Sequence, residues 1–491
     1  GFKLPTSLQL WKWNPVELFG SSPALLADRL SWPYAAVLAT LVLAVILTAV
    51  ARVQPLAWEI WAGSLLLTAL GLFAVLAGNP LTLLMAWAAL DIVELIFLLL
   101  QLKENEARER IVASFSARLA GIILLLWAWI VARSTKETFT FASVPQQATI
   151  FLVLAAGLRL GVLPLHLPFY QELPLQRGLG TIIRLVPVAA SLVLLTRAAV
   201  AGVPLWISPY LLALAGLAAL YGGWAWLTAS DELSGRPFWI IGMSALSVTA
   251  ALRAQPGASI AWGIACLMSG GLLFLASARH RNLLPLLILG LLGFSALPLT
   301  PAWNGMGIYA YPRLMQTSGI AGNLEKPAIY LVYTLVFLIA HALLLAGYIR
   351  FILRQGVTLK GVERWVWVIY PLGLFLIICS QYFLGFWSWP KFSAVNSPGW
   401  WGGATAAILT VIIWVLSNRK TALPENTMAN WRYIFSFNWL YRFFWLAYQG
   451  IGRLVSWSTM ILEGEGGLLW TLVLLALIFS LVAQRSLGGL P

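Results

Sequence analysis

Apolar runs long enough to cross a bilayer follow one another along nearly the whole of this chain, with short polar loops between them. In lipid every backbone polar group must be satisfied by the protein itself, and runs of about 20 apolar residues do this as helices. The expected fold class is an all-α polytopic membrane protein with about fourteen transmembrane helices. The spans are read at 34–51, 57–78, 80–102, 111–132, 148–168, 181–200, 205–229, 236–252, 258–277, 283–300, 327–354, 366–387, 400–417 and 466–483. Charged residues make up 10% of the chain and hydrophobic ones 60%, against about 25% charged in a soluble domain. No loop is long enough to bury a core of its own. The expected location is therefore integral to a membrane, with a prokaryotic cytoplasmic (inner) membrane as the specific expectation.

Two of the spans carry the same interruption. Gly161 to Phe169 reads GVLPLHLPF and Ser295 to Trp303 reads SALPLTPAW. Each puts a proline pair, Pro164 with Pro168 and Pro298 with Pro301, inside an apolar run. Proline removes a helical hydrogen bond and clashes with the preceding turn. Broken backbone at membrane depth is tolerated only where protein surrounds it or a wet cavity lies beside it. Paired interrupted helices in the two halves of a chain point to a transporter built from repeats.

The formal net charge is +14. The bases sit in short loops, so anionic lipid headgroups are the expected partners and nucleic acid is not. The loops near Lys103–Arg110, Arg279–Arg281, Arg350–Arg364 and Arg419–Arg453 fall on one face and hold more Lys and Arg than the opposite loops. That face is expected to be cytoplasmic, with both termini outside. The 26 tryptophans suit interfacial belts. Cys266 and Cys379 lie in apolar spans without a CxxC partner, and the three histidines, His166, His280 and His341, are scattered. No Walker A loop, dinucleotide fingerprint, metal cluster or nucleophile–base pair occurs. The expectation is no cofactor, no metal and no catalytic site in this chain. Residues 1–33 read as an interfacial segment rather than a cleaved signal. Trp431 to Met460, rich in aromatics with arginines spaced through it, reads as an amphipathic helix lying along the membrane surface.

Charges inside the spans are the candidate functional residues, because an ionised group at bilayer depth is costly, normally paired, and marks function. Asp91 and Glu94 are three residues apart in MAWAALDIVELIFLLL and share one helix face. Arg118, Arg159 and Arg184 also fall within or near spans, and Asp91 or Glu94 is expected to face Arg159. A static ion pair that fixes helix packing is the competing reading. Arginine stays protonated and is a poor proton relay, whereas a buried lysine can become neutral. His166, at the first proline break, is the titratable candidate nearest a cavity. His341, within LIAHALLLAGYIR, is either an ion-path group or a buried histidine bonded to a neighbouring helix. Glu59 stands at a span entrance.

These features resemble the antiporter-like membrane subunits shared by respiratory complex I, Mrp-type cation/proton antiporters and membrane-bound hydrogenases. The family motif runs G-K-S-x-x-x-P-L and continues to a histidine and a helix ending in arginine. This chain has GLRLGVLPLHLPFYQELPLQRGLGTIIR from Gly157 to Arg184. By that resemblance Arg159 replaces the family's central lysine, Arg184 replaces its histidine, and Pro164 and Leu165 keep the P-L pair. The family's Trp-Glu pair falls at Trp87 and Ala88, so that glutamate is missing, with Asp91 and Glu94 as possible substitutes. The segments 230–234, 266–277 and 295–307 resemble three further motifs, each without its basic residues. Leu26 to Ala49 resembles the family's third helix, which implies that the first two are absent.

The resemblance implies two inverted five-helix bundles, each with one interrupted helix. The implied organisation is an N-terminal interfacial segment at 1–33, antiporter-like halves at 34–200 and 201–365, and additional transmembrane helices at 366–417. An amphipathic lateral segment at 418–465 and a transmembrane anchor at 466–491 follow. It also implies other membrane subunits of a larger complex as partners, with H+ or Na+ as the transported ion. The ion-translocation candidates are Asp91, Glu94, Arg118, Arg159, His166, Arg184 and His341. Most of the titratable row along the membrane midplane is lost, which favours a mainly structural role. A zinc-containing inorganic-carbon uptake partner and an independent secondary transporter are the alternatives.

Overall fold

The structure is a computed structural model, described here for residues 4–12, 22–51, 58–102, 105–134, 139–166, 176–277, 280–309, 327–354, 363–387 and 400–418, with short pieces between 446 and 477. It forms two compact units, residues 1–421 and 422–491. In the second unit residues 471–477 are helical, and nearly all of the 418–465 lateral segment lies outside the described residues.

Among its described residues the first unit is mostly helical, with one small hairpin and a few isolated β-bridges. Its helices are α1 (Ser31–Thr48), α2 (Trp58–Val75), α3 (Pro80–Gln101), α4 (Asn105–Ser134), α5 (Thr149–Arg159), α6 (Arg177–Ala201), α7 (Ser208–Thr228), α8 (Arg236–Leu252), α9 (Pro256–Leu275), α10 (Leu284–Leu292), α11 (Pro327–Leu353), α12 (Val366–Trp387) and α13 (Trp400–Asn418). Among the described residues nine helices are long and apolar enough to cross a membrane, and 236–252 and 401–416 are shorter apolar helices. The protein is thus an all-α polytopic membrane protein, as its apolar runs require.

The 1–33 segment contains that hairpin. Strand β1 (Thr6–Gln9) pairs antiparallel with β2 (Ala24–Ala27), Leu8 opposite Leu25. The hairpin is tied to the start of α3: Ala24 N–H donates to Thr82 Oγ1 at 2.9 Å, and Gly78 N–H to the Ala24 carbonyl at 2.8 Å. At that start the Asn79 side chain accepts from Thr82 N–H, with Pro80 in the first turn. An amide cap and an early proline both favour helix initiation.

Two sets of five elements follow. In α2–α6, α3 packs on α2 and α4, α4 on α5, and α6 on α2 and α5. In α7–α11, α8 packs on α7 and α9, α9 on α10, and α11 on α7 and α10. In each set the fourth element is a short helix that stops at a proline-bearing break. Helices α6 and α9, whose apolar spans are buried throughout, pack on each other at the centre.

The first break has a defined stop. The Gly161 N–H donates to the Leu158 carbonyl at 3.1 Å and the Val162 N–H to the Gly157 carbonyl at 2.8 Å. These are the two bonds of a Schellman cap, and Gly161 takes φ +75° where a side chain would be strained. At the second break Ala296 and Leu299 adopt φ of +53° and +65° without being glycine. Such conformations cost about 1–3 kcal/mol each and persist only where the surroundings impose them. Pro164, Pro298 and Pro301 lie in these breaks, and Pro168 lies outside the described residues.

Candidate functional site

Asp91 and Glu94 point from α3 toward α4 and α5 and meet two arginines there. Arg159 donates from Nη1 to Asp91 Oδ2 at 2.6 Å and from Nη2 to Asp91 Oδ1 at 2.8 Å. Arg118, on α4, grips Glu94 in the same two-pronged way, with Nη2 to Oε1 at 2.7 Å and Nη1 to Oε2. Arg118 Nη1 also stands 3.6 Å from Asp91 Oδ1. The order Glu94, Arg118, Asp91, Arg159 is therefore a line of alternating charge across three helices. All four residues are more than nine-tenths buried.

The local fold explains why the cluster assembles. Spacing by three puts both carboxylates on one face of α3. Arg159 sits in the last turn of α5, where the negative end of a helix favours a cation. Gly121 of α4 makes room for its stem: a Cβ there would lie 2.7 Å from Arg159 Cγ. The guanidinium carbon lies 4.2 Å from the centre of the Trp87 ring. Trp87 is on α3, one helical turn before Asp91, and is fully buried. A desolvated contact of this kind is worth up to about 2 kcal/mol. The spacing of the acidic residues foretells the pair, whereas Arg118 as the partner of Glu94 and Trp87 as the floor under Arg159 are not legible from one helix alone. Their signal is positional, since Trp87 and Asp91 are four apart.

A narrow cleft of about 10 Å3 borders the cluster between α3 and α4, lined by Asp91, Glu94, Leu98, Ile111, Ser114 and Arg118 among others. That is space for about one water. The Ser114 hydroxyl is buried there and has no hydrogen-bond partner among the described residues.

The remaining candidates lie apart from this cluster. His166 is buried just after the first break; its Nδ1–H donates to the Pro164 carbonyl at 2.9 Å, and Nε2 has no partner among the described residues. Arg184 is buried on α6. His341, on α11, bridges the second break: Nε2–H donates to the Phe294 carbonyl and Nδ1 accepts from the Tyr309 hydroxyl, both at 3.0 Å. Its surroundings are aromatic. The Trp262 ring lies 4.9 Å away, and Trp239 packs on Phe294 at 5.0 Å and Trp226 at 5.2 Å. Glu59 is exposed in the first turn of α2.

Further arginine contacts brace the core. Arg197 of α6 bonds Asp28 and the Phe141 carbonyl, each at 2.9 Å. Arg177, at the start of α6, bonds Glu232 at 2.8 Å, and Arg236 reaches the Arg177 carbonyl at 3.2 Å. Among the described residues no group of three or more His, Cys, Asp and Glu side chains is placed to hold a metal ion.

What the main cluster can do follows from its members. Each carboxylate faces a guanidinium, and a guanidinium does not give up its proton in a protein. The line of charges can fix three helices and shape the local field. It has no basic member able to switch by losing a proton.

Known structures share this architecture. A chain of the Mrp complex from Dietzia sp. DQ12-45-1b matches with a TM-score of 0.69 at 15% identity, over 99% of this chain and 58% of that one. A chain of the membrane-bound sulfane sulfur reductase, an archaeal respiratory membrane complex, matches at 0.65 and 14% identity, over 98% and 91%. A chain of respiratory complex I from Thermus thermophilus matches at 0.56 and 20% identity, over 84% and 89%. No family model matches the sequence, and no curated protein does. The chain therefore has the fold of these chains of the Mrp, sulfane sulfur reductase and complex I assemblies. It spans little more than half the length of the Mrp chain it matches.

Proposed function

We propose that this protein is an antiporter-like subunit of a multi-subunit membrane complex of the complex I, Mrp or hydrogenase type, in a prokaryotic inner membrane. Within it the chain acts mainly as a structural element and does not pump ions at a full rate. One observation carries this reading: at the place where the family resemblance puts a titratable lysine, Arg159 is locked by two bonds to Asp91. Arg118 and Glu94 repeat the arrangement one step further along. The bridge at the second break is aromatic and histidine-based. A proton relay needs groups that exchange protons near working pH, and arginine is not one.

Two measurements test the proposal. Purification from native membranes in gentle detergent, with mass spectrometry of co-migrating chains, should find iron–sulfur or flavin subunits and sibling antiporter-like chains. A zinc-binding partner alone would replace the proposal with inorganic-carbon uptake, and a solitary chain with an independent transporter. In reconstituted vesicles, Asp91→Asn and Glu94→Gln should leave H+ and Na+ flux at the parent level when assembly is intact. Flux that falls in both variants would give the cluster a transport role.

A further inference from the structure

An open groove of about 780 Å3 runs between the start of α10 and the exposed face of α12. Its volume is in the range of small-ligand sites, roughly 300–1,000 Å3. The groove changes character along its length. At the loop end stand His280 and Asn282, with the His280 ring edge-on to Trp367 at 5.0 Å. Deeper into the span the walls are Leu286, Leu372 and Phe375. Leu372 and Phe375 are about half exposed. Pro371 adds to the asymmetry, because its ring nitrogen cannot donate to the carbonyl of Trp367 in the preceding turn.

The charge around the polar end is mainly basic; the one acidic neighbour in the sequence there, exposed Glu363, accepts the indole N–H of Trp365. His280 is flanked in the sequence by Arg279 and Arg281, and exposed Arg364 lies one turn before Trp367. The Trp367 N–H bonds the Arg364 carbonyl at 3.2 Å, which ties that arginine to the groove's rim. Both basic segments belong to loops that the charge pattern puts on one side of the membrane. A slot that is apolar at membrane depth, with tryptophan at the interface and arginines at the rim, has the profile of an anionic amphiphile.

We propose that this groove is a binding site for one anionic phospholipid, its acyl chain against Leu286, Leu372 and Phe375 and its phosphate at the His280–Asn282 turn and Arg364. The site is independent of the Asp91 cluster and of any ion-transport role.

The probe is phosphatidylglycerol offered against an equimolar amount of phosphatidylcholine to the detergent-purified protein, with native mass spectrometry counting the lipid retained. Phosphatidylglycerol should be kept in preference. Leu372→Trp, which fills the groove, should abolish the preference, and Arg364→Gln should lower it about fivefold, the weight of one arginine near an anionic surface. If Leu372→Trp melts below the parent, the exposed Arg364→Gln decides alone. Equal retention of both lipids by the parent protein overturns the proposal, as does an Arg364→Gln variant with the parent's preference. Cross-linking of a Val368→Cys variant, in a Cys379→Ser background, to a co-purifying subunit would also overturn it by showing that protein fills the groove.

Discussion

Asp91 on α3 receives both terminal nitrogens of Arg159 from the end of α5, at 2.6 and 2.8 Å, in a place that water scarcely reaches. The bond joins an unbroken helix to an interrupted one two residues before its stop at Gly161. It therefore holds the break in place as well as neutralising two charges. Arg118 then links Asp91 to Glu94, so that three helices share one electrostatic knot.

Removing one side of that knot is expected to be far worse than removing both. Asp91→Asn leaves the Arg159 charge buried without its partner, and breaking a buried pair in this way costs about 3–5 kcal/mol. Replacing both residues by apolar ones of similar size, Asp91→Leu with Arg159→Met, should recover most of the loss. Unfolding of detergent-purified Asp91→Leu, Arg159→Met and the double variant checks this through a double-mutant cycle. A loss in the double variant equal to the sum of the two single losses would show that the two residues are not coupled.

Arg159→Lys restores the side chain that the family resemblance places there. A lysine presents a point charge without the planar fork, so it gives up one of the two Asp91 bonds and weakens the contact with Trp87. Stability should drop by about 1–3 kcal/mol. Ion flux in vesicles should stay at the parent level, because one lysine does not supply the other titratable groups a proton path needs. A clear rise in flux would mean that arginine alone blocks an otherwise complete path, and the structural reading would fail.

Much of this was legible in the sequence, for reasons that differ from element to element. The spans were legible because hydropathy and backbone satisfaction leave a membrane chain few choices; the reading of 366–387 coincides with α12. The breaks were legible because Pro164 and Pro298 cannot continue a helix, although the stop itself falls earlier, at Gly161 and after Leu292. The hairpin of Thr6–Gln9 with Ala24–Ala27 was hidden, since its strands are four residues each and gain their order from contacts with α3. The partner of Glu94 was hidden for a related reason. Hydropathy marks Arg118 as costly, but only the crossing of α4 over α3 decides which carboxylate it meets.

His341 should act as a clasp on the second break. His341→Ala strands the Phe294 carbonyl and the Tyr309 hydroxyl in an apolar core, and each buried unsatisfied group costs about 1–3 kcal/mol. Tyr309→Phe removes only one of the two bonds and should cost less. Thermal melts of the purified variants check the order. A His341→Ala variant as stable as the parent would show that the bridge carries no load.

The loop between α7 and α8 offers a pH-dependent test outside the membrane. Asp231 Oδ1 accepts the N–H of Ser234 at 2.8 Å and of Leu233 at 2.9 Å, and the Ser230 hydroxyl reaches Oδ2 at 3.2 Å. Partial burial works against its ionised form, but these hydrogen bonds outweigh that and hold the carboxyl below its usual pKa. A carboxylate depressed on folding stabilises the protein above its unfolded pKa, and that contribution fades as the pH falls through the folded value. The group is partly solvated, so Asp231→Ala should cost no more than roughly 0.5–1 kcal/mol at neutral pH. The gap between parent and variant should persist down to about pH 4 and narrow below it. Unfolding in a non-ionic detergent at stepped pH measures the gap directly; one that stays constant, or widens toward acid, would show that the ionised carboxylate is not what orders this turn.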